Sequence, residues 1–449
     1  MRMSMSTRQR MRKRQKKAAS VSTGTGSSLI VSLVQMTPAI RFNIKKKIPN
    51  LKHFFHDFSD LFRQAPFSLL FCSFTGLLAG VGLSLMTDML QLLPGLMILI
   101  PPAIAMRGNV YSALVSRLGT SMHLGLFSPT LKKGNVLYQN VYASLLLTMI
   151  LSVILGLLAK LMANAFGISS ISVYGFVLIS VIGGLISGIT LLGVAIVVSI
   201  IGYRRNWNLD NISSPIITSA GDMITIPTLF LAAIMLQKSP DVFVTILSTL
   251  FVFVAVLCLV KGLKTDDSAI RRILIESIPM LFLCGILCTF AGITLDIRLH
   301  SLIAIPAILV IIPPFLGESN ALGGILSARL SSMLHIGTIK PQRVPDKLVA
   351  SNFAVIYLFS ICVFLFVGVL TYAASIILGI SSPSIFEMLS ISLLGGVLCT
   401  TFLNFASYYI AILSFRFGLD PDNDTIPLIT SLTDVVGVFC LLFAMFLIL

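Results

Sequence analysis

The chain has 449 residues, 56% hydrophobic and 11% charged, with a mean hydropathy of +0.98. A soluble domain of that balance would lack the polar groups to cover its surface. Continuous uncharged runs near or above 18 residues instead identify an all-α polytopic membrane protein, and their lack of alternation argues against a β-barrel. The formal net charge of +15 would suit a nucleic-acid-binding protein, but its distribution argues for no nucleic-acid partner.

Residues 1–66 read as a basic cytoplasmic tail, with nearly half of the Lys and Arg but only two acids, Asp57 and Asp60. Its densest run is "RQRMRKRQKK", Arg8 to Lys17. A basic segment before the first span marks the cytoplasmic side and suits contact with anionic lipid. The apolar stretch "SLIVSLV" is too short and too far from the start for a secretory signal. Eleven transmembrane helices are then predicted, over 67–86, 93–118, 138–163, 171–203, 213–237, 241–263, 273–295, 300–330, 350–379, 384–414 and 425–449. The second and eighth contain Pro-Pro and are expected to be broken. With the N-terminus inside, all but Lys160, Lys238 and Arg298 of the 32 Lys and Arg lie on the cytoplasmic side of a cell membrane, and the C-terminus lies outside.

An internal repeat runs through these spans. Pro101-Pro102 recurs as Pro313-Pro314, Arg117 as Arg329, His123 as His335, Asp210 as Asp422, Pro215 as Pro427, Thr218 as Thr430 and Asp222 as Asp434, all at one offset. The division is a first repeat over 67–240, a linker transmembrane helix over 241–263 and a second repeat over 264–449. The linker helix has no charge, Gly or Pro in its core ("VFVTILSTLFVFVAVLCLV") and reads as a plain lipid-facing span. Five helices per copy plus this one make the repeats parallel. A pseudo-two-fold axis then lies along the membrane normal, the arrangement of transporters whose site lies at the repeat interface.

Each copy carries one carboxylate within its last span, in "SSPIITSAGDMITIP" (Asp222) and "DTIPLITSLTDVVGV" (Asp434). An ionised Asp at the bilayer centre costs roughly 2.5–3.5 kcal/mol even on lenient scales. Two facing acids repel, and a cation between them removes the problem. Hard divalent ions prefer oxygen, and Mg²⁺ keeps much of its water. Thr218 and Thr430, four residues before each Asp, share its helix face. Asn109 and Asn320, after the Pro-Pro pairs in "RGN" and "ESN", are candidate lining residues, with Glu318 a weaker one. The candidate metal-binding set is therefore Asp222, Asp434, Thr218, Thr430, Asn109 and Asn320. Soft metals are poorly served in sequence, since no Cys or His neighbours either Asp. The seven cysteines fall in apolar segments without a C-x-x-C and read as small packing residues. His123 and His335 read as interfacial structural residues, and Arg117 and Arg329 as topology anchors or partners of a carboxylate. Asp210, Asp420, Asp422 and Asp424 read as helix N-terminal acids or as concentrators of cations at the inner mouth.

Pro-Pro followed by G-N and "SRLGT" in the second helix, with "P-x-x-T-x-x-G-D" in the fifth, resembles the MgtE-type magnesium transport domain. The tandem arrangement is similar to solute carrier family 41, over about residues 67–449. The resemblance implies a five-helix domain working as a pair, a Mg²⁺ pore on the pair axis, and an essential Asp at positions 222 and 434. Two departures stand out. The 66-residue tail cannot hold a cytosolic sensor, and the G-N of copy one is "ESN" in copy two, so the halves contribute unequally.

The expected function is divalent cation transport, Mg²⁺ first and other divalents next, by a monomeric pseudo-dimer in the lipid bilayer. A Na⁺-coupled Mg²⁺ exchanger or exporter is the alternative. An intramembrane aspartyl protease is a remote one, since a Gly expected three residues before an Asp is Ser219 or Ser431 here. No H-E-x-x-H and no P-loop is present, so an enzyme is not expected.

Overall fold

The computed structural model describes residues 58–205, 209–418 and 425–449. Most of the basic tail, together with Asp420, Asp422 and Asp424, lies outside the described residues, as do the side chains of His123 and Asp210. Asp60–Leu449 pack as one unit. Among the described residues there are thirteen helices and no strand, and eleven helices are long and apolar enough to cross a membrane.

The elements are α1 (Ser59–Ser84), α2 (Thr87–Leu92), α3 (Leu96–His123), α4 (Val136–Ala165), α5 (Val173–Arg205), α6 (Leu209–Lys238) and α7 (Asp241–Leu263). They continue as α8 (Ser268–Ile297), α9 (Leu299–Ala304), α10 (Pro306–Ile336), α11 (Lys347–Leu378), α12 (Ile385–Phe417) and α13 (Ile426–Ile448). Apolar runs supply the spans, and polar punctuation sets their ends. Asp267 and Asp346 cap α8 and α11 by accepting from Ala269 and Val349 N–H, and Ser384 with Glu387 closes a capping box on α12. Gly337, Gly379 and Gly418 end α10, α11 and α12 in the left-handed region. Helix α1 begins before the predicted residue 67, because Pro66 lies inside it instead of opening it.

Helices α3–α6 pack as one bundle and α10–α13 as a second, while α7 packs on α4 and α5. Of the most apolar window of α7 only 17% is buried, against 78% in α3 and 72% in α10. That contrast makes α7 a peripheral, lipid-facing span and puts α3 and α10 at the centre. The remaining long helices cross over: α8 packs on α3 and α4 as well as α13, and α1 lies against α10 and α11.

The expected break at the proline pairs is corrected by the structure. Pro101-Pro102 and Pro313-Pro314 lie inside continuous helices α3 and α10. Each proline removes one N–H, so Pro102 leaves the carbonyl of Ile98 without its helical donor, and Pro314 does the same to Val310. A glycine from the crossing-over helix covers each one. A Cβ on Gly292 of α8 would overlap the Ile98 carbonyl oxygen, and a Cβ on Gly80 of α1 would overlap that of Val310. Gly76 presses equally close, since a Cβ there would lie 2.6 Å from Pro314 Cα. Close backbone approach at small residues, with weak Cα–H···O contacts, is how helices associate in lipid, where no hydrophobic drive separates protein from solvent. The helices stay continuous because the neighbouring backbone fills the gap that a break would otherwise relieve.

Gly80→Ala and Gly292→Ala are each expected to lower the melting temperature of the purified protein by several degrees, the outcome of about 1–3 kcal/mol of overpacking. Gly193→Ala, with nothing within 4 Å of the added methyl, is expected not to lower it. Unchanged melting in the first two variants would contradict the tight crossing contacts.

Candidate cation site

Residues of α1, α3, α6, α8, α10 and α13 enclose a cavity of about 70 Å³, room for several waters where one needs roughly 10–15 Å³. Its wall uses matched positions of the two bundles: Ile100 with Ile312, Pro101 with Pro313, Thr218 with Thr430, Asp222 with Asp434. Asn109 and Asn320 line it as well, so the structure brings all six sequence-predicted residues together around one space. Among the described residues no Lys, Arg or His lines it.

The two carboxylates are held differently. Asp434 is buried, 5% exposed. Its Oδ1 accepts from Asn320 Nδ2 at 2.7 Å and its Oδ2 from the Cys288 thiol at 3.4 Å. Asn320 occupies the position that is Gly108 in the first bundle. A side chain at 108 is impeded, since a Cβ there would lie 3.2 Å from Thr218 Cγ2, and Asp222 therefore lacks the matching amide. It is half-buried on the cavity wall. Asn109 turns to the other bundle, where the Thr430 hydroxyl approaches its Oδ1 at 3.5 Å while also reaching the carbonyls of Ile426 and Pro427. Asn109 Nδ2 and Asn320 Oδ1 are buried without a hydrogen-bond partner. Buried amide atoms without partners are uncommon, and a hydrated cation would supply what they lack: water to accept from the N–H and donors for the C=O. The site offers two carboxylates, two hydroxyls and amide oxygens, a set suited to a hard cation.

Five other polar residues of α3 and α10 are engaged away from the cavity. Arg107 is 1% exposed and lies between α4 and α5, donating to Ser152 Oγ at 3.1 Å, Ser187 Oγ at 3.4 Å and the Ser180 carbonyl at 3.5 Å. Gly184 makes the space, since any Cβ there would overlap the guanidinium. Glu318 is fully buried and accepts from Ser73 of α1, and its other oxygen has no partner. Arg117 donates to Asn140 Oδ1 at 2.8 Å, matched by Arg329 to Asn352 Oδ1 at 3.0 Å. His335 packs edge-on against Phe415 and its Nδ1 lies 2.8 Å from the Ser331 carbonyl, a structural placement. Neither cavity carboxylate pairs with a basic side chain among the described residues.

Two cysteines are what reading along the chain missed. Cys72 of α1 lines the cavity, and Cys288 of α8 touches Asp434. Each comes from a different helix than the Asp residues, so neither is near Asp222 or Asp434 in sequence. The statement that no cysteine serves the site holds along the chain and fails in space.

The family model of MgtE, described as a divalent cation transporter, matches this chain twice, over residues 100–232 and 312–444. The mouse protein named solute carrier family 41 member 3 is 27% identical over 399 residues, covering 83% of this chain and 80% of its own. Its rat counterpart is 26% identical over 363 residues, covering 76% of this chain and 77% of its own. Human solute carrier family 41 member 2 is 24% identical over 364 residues, 76% of this chain and 62% of its own. No solved structure matches the chain. With the two matches spanning more than half of its length and the matched carboxylates on one intramembrane cavity, the chain belongs to the MgtE family of divalent cation transporters, which are not enzymes.

Proposed function

We propose that the cavity between α3, α6, α10 and α13 carries partly hydrated Mg²⁺ across the membrane, with Asp222 and Asp434 as the charged ligands. Thr218, Thr430, Asn109 and Asn320 contribute oxygen directly or through water. The observation that carries this reading is the convergence of two matched carboxylates on one cavity that no basic residue lines among the described residues. Isolated carboxylates at that depth are costly, and a divalent ion balances both. The reading includes two parallel repeats, 67–240 and 264–449, joined by the span 241–263 and related by a pseudo-two-fold axis along the membrane normal. A single chain then supplies both halves of the pore. It supports this reading that the crossing contacts come in matched pairs, Gly80 on Val310 and Gly292 on Ile98. The N-terminus is assigned to the cytoplasm and the C-terminus to the outside, from the positions of Lys and Arg. An inside-negative potential then drives inward movement by about 4.6 kcal/mol per divalent ion per 100 mV, twice the single-charge value.

Asp222→Asn and Asp434→Asn are each expected to abolish or strongly reduce Mg²⁺ flux into proteoliposomes, measured beside Ca²⁺ and Mn²⁺ with and without a Na⁺ gradient. Wild-type flux from both variants would overturn the assignment, and dependence on the Na⁺ gradient would replace the channel by an exchanger. Mg²⁺ is expected to raise the melting temperature by linkage, worth about 2.7 kcal/mol at a hundred times Kd. A flat titration to tens of millimolar would contradict a specific site.

A further inference from the structure

The contact between Cys288 and Asp434 is not needed to hold a hard ion. Mg²⁺ takes oxygen ligands and has little use for sulfur. Yet the thiol lies 3.4 Å from Asp434 Oδ2, both groups are buried, and Asn320 on Oδ1 at 2.7 Å fixes the carboxylate toward the sulfur. A second thiol lies on the same cavity. Cys72 Sγ and Asp222 Oδ2 both abut the bare face of Gly317, 3.3 and 3.4 Å from where a Cβ would stand. The glycine is what lets this sulfur and this carboxylate come near each other. Asp434 thus has a cysteine of α8 in contact with it, and Asp222 shares the face of Gly317 with a cysteine of α1.

Building on the transport reading above, we propose that Cys288 and Asp434 form a two-point binding site for thiophilic divalent cations of the zinc and cadmium class, with Cys72 as the second thiol on the cavity, and that an ion held there blocks the Mg²⁺ path. Thiolate and carboxylate are ordinary Zn²⁺ ligands. On binding, the Cys288 S–H bond breaks, a metal–sulfur bond forms and the proton passes to solvent, with no change of oxidation state. Among the described residues no three of His, Cys, Asp and Glu are grouped as a ready cage, so the remaining positions are filled by water and the Asn320 carbonyl. The site is therefore an inhibitory one grafted onto the transport cavity, not a structural zinc centre. Hard ions pass it because they do not bind the thiol.

The test is a Cd²⁺ titration of the purified full chain, following the ultraviolet thiolate-to-Cd²⁺ charge-transfer band. Wild type is expected to develop the band. Cys288→Ser should lose it or weaken its apparent affinity by about tenfold or more, the scale on which losing a partner acts at metal sites. Cys362→Ser, at an exposed cysteine, should leave it unchanged. In proteoliposomes, Cd²⁺ inhibition is read as a fraction of each variant's own uninhibited Mg²⁺ rate, and Cys288→Ser should require about tenfold more Cd²⁺. Melting curves of Cys288→Ser and Cys72→Ser confirm that the variants fold. A band and an inhibition that are unchanged in Cys288→Ser would overturn the proposal. The band is read without transport, so a wild type that binds Cd²⁺ but moves no Mg²⁺ would refute the transport reading and leave this site standing.

Discussion

A carboxylate inside a bilayer must be neutralised, paired or given an ion, and this chain places two on one cavity wall with no basic neighbour among the described residues. Their mutual repulsion in a medium of low dielectric is the constraint around which the rest is arranged. Arginine is available nearby but is used elsewhere. Arg107 sits one residue before the cavity-lining Gly108 and is turned outward onto three serines, two through their hydroxyls and one through its carbonyl. Had it faced inward, a salt bridge would have satisfied an Asp and removed the reason for a cation to enter. Keeping the guanidinium behind the wall leaves both carboxylates without a basic partner among the described residues, as the proposed transport requires.

The scaffold that makes this possible is a pair of crossings, α8 on α3 and α1 on α10, each held by glycine against a proline-freed carbonyl. Pro102 and Pro314 each release a backbone oxygen, and Gly292 and Gly80 each bring a neighbouring backbone onto it. The same two helices carry Cys288, which touches Asp434, and Cys72, which lines the cavity. The match between the two sides breaks down in the stretch just after the proline pairs. Asn320 stands where the first bundle has Gly108, Arg107 stands where the second has Ser319, and Glu318 stands where the first has Met106. Asp434 is consequently buried and doubly hydrogen-bonded, whereas Asp222 is half-buried. On the proposed path a hydrated ion would meet one fixed carboxylate and one freer one.

Much of the architecture was legible along the chain. Continuous apolar runs identify the eleven spans, because backbone groups in lipid must be satisfied within a helix. The recurrence of Asp222 as Asp434, with Thr218 as Thr430, pointed to one shared site, and the structure brings these four and both asparagines to one cavity. Long-range packing was not legible. A Pro-Pro pair reads as a break when only its own helix is considered, and nothing local reports that Gly80 lies on Val310, far along the chain. Cys72 and Cys288 looked like filler for the same reason. Glycines at matched positions, 80 and 292, were the available signal for the crossing, since small residues mark close helix contacts in membranes.

The central claim is that both carboxylates serve one ion. An experimental structure grown with Mn²⁺ in place of Mg²⁺, its anomalous scattering locating the metal, tests this most directly. The account predicts a single peak in the cavity, bridged directly or through water to both Asp222 and Asp434. Separate peaks on each carboxylate, or metal bound only elsewhere in the chain, would contradict it.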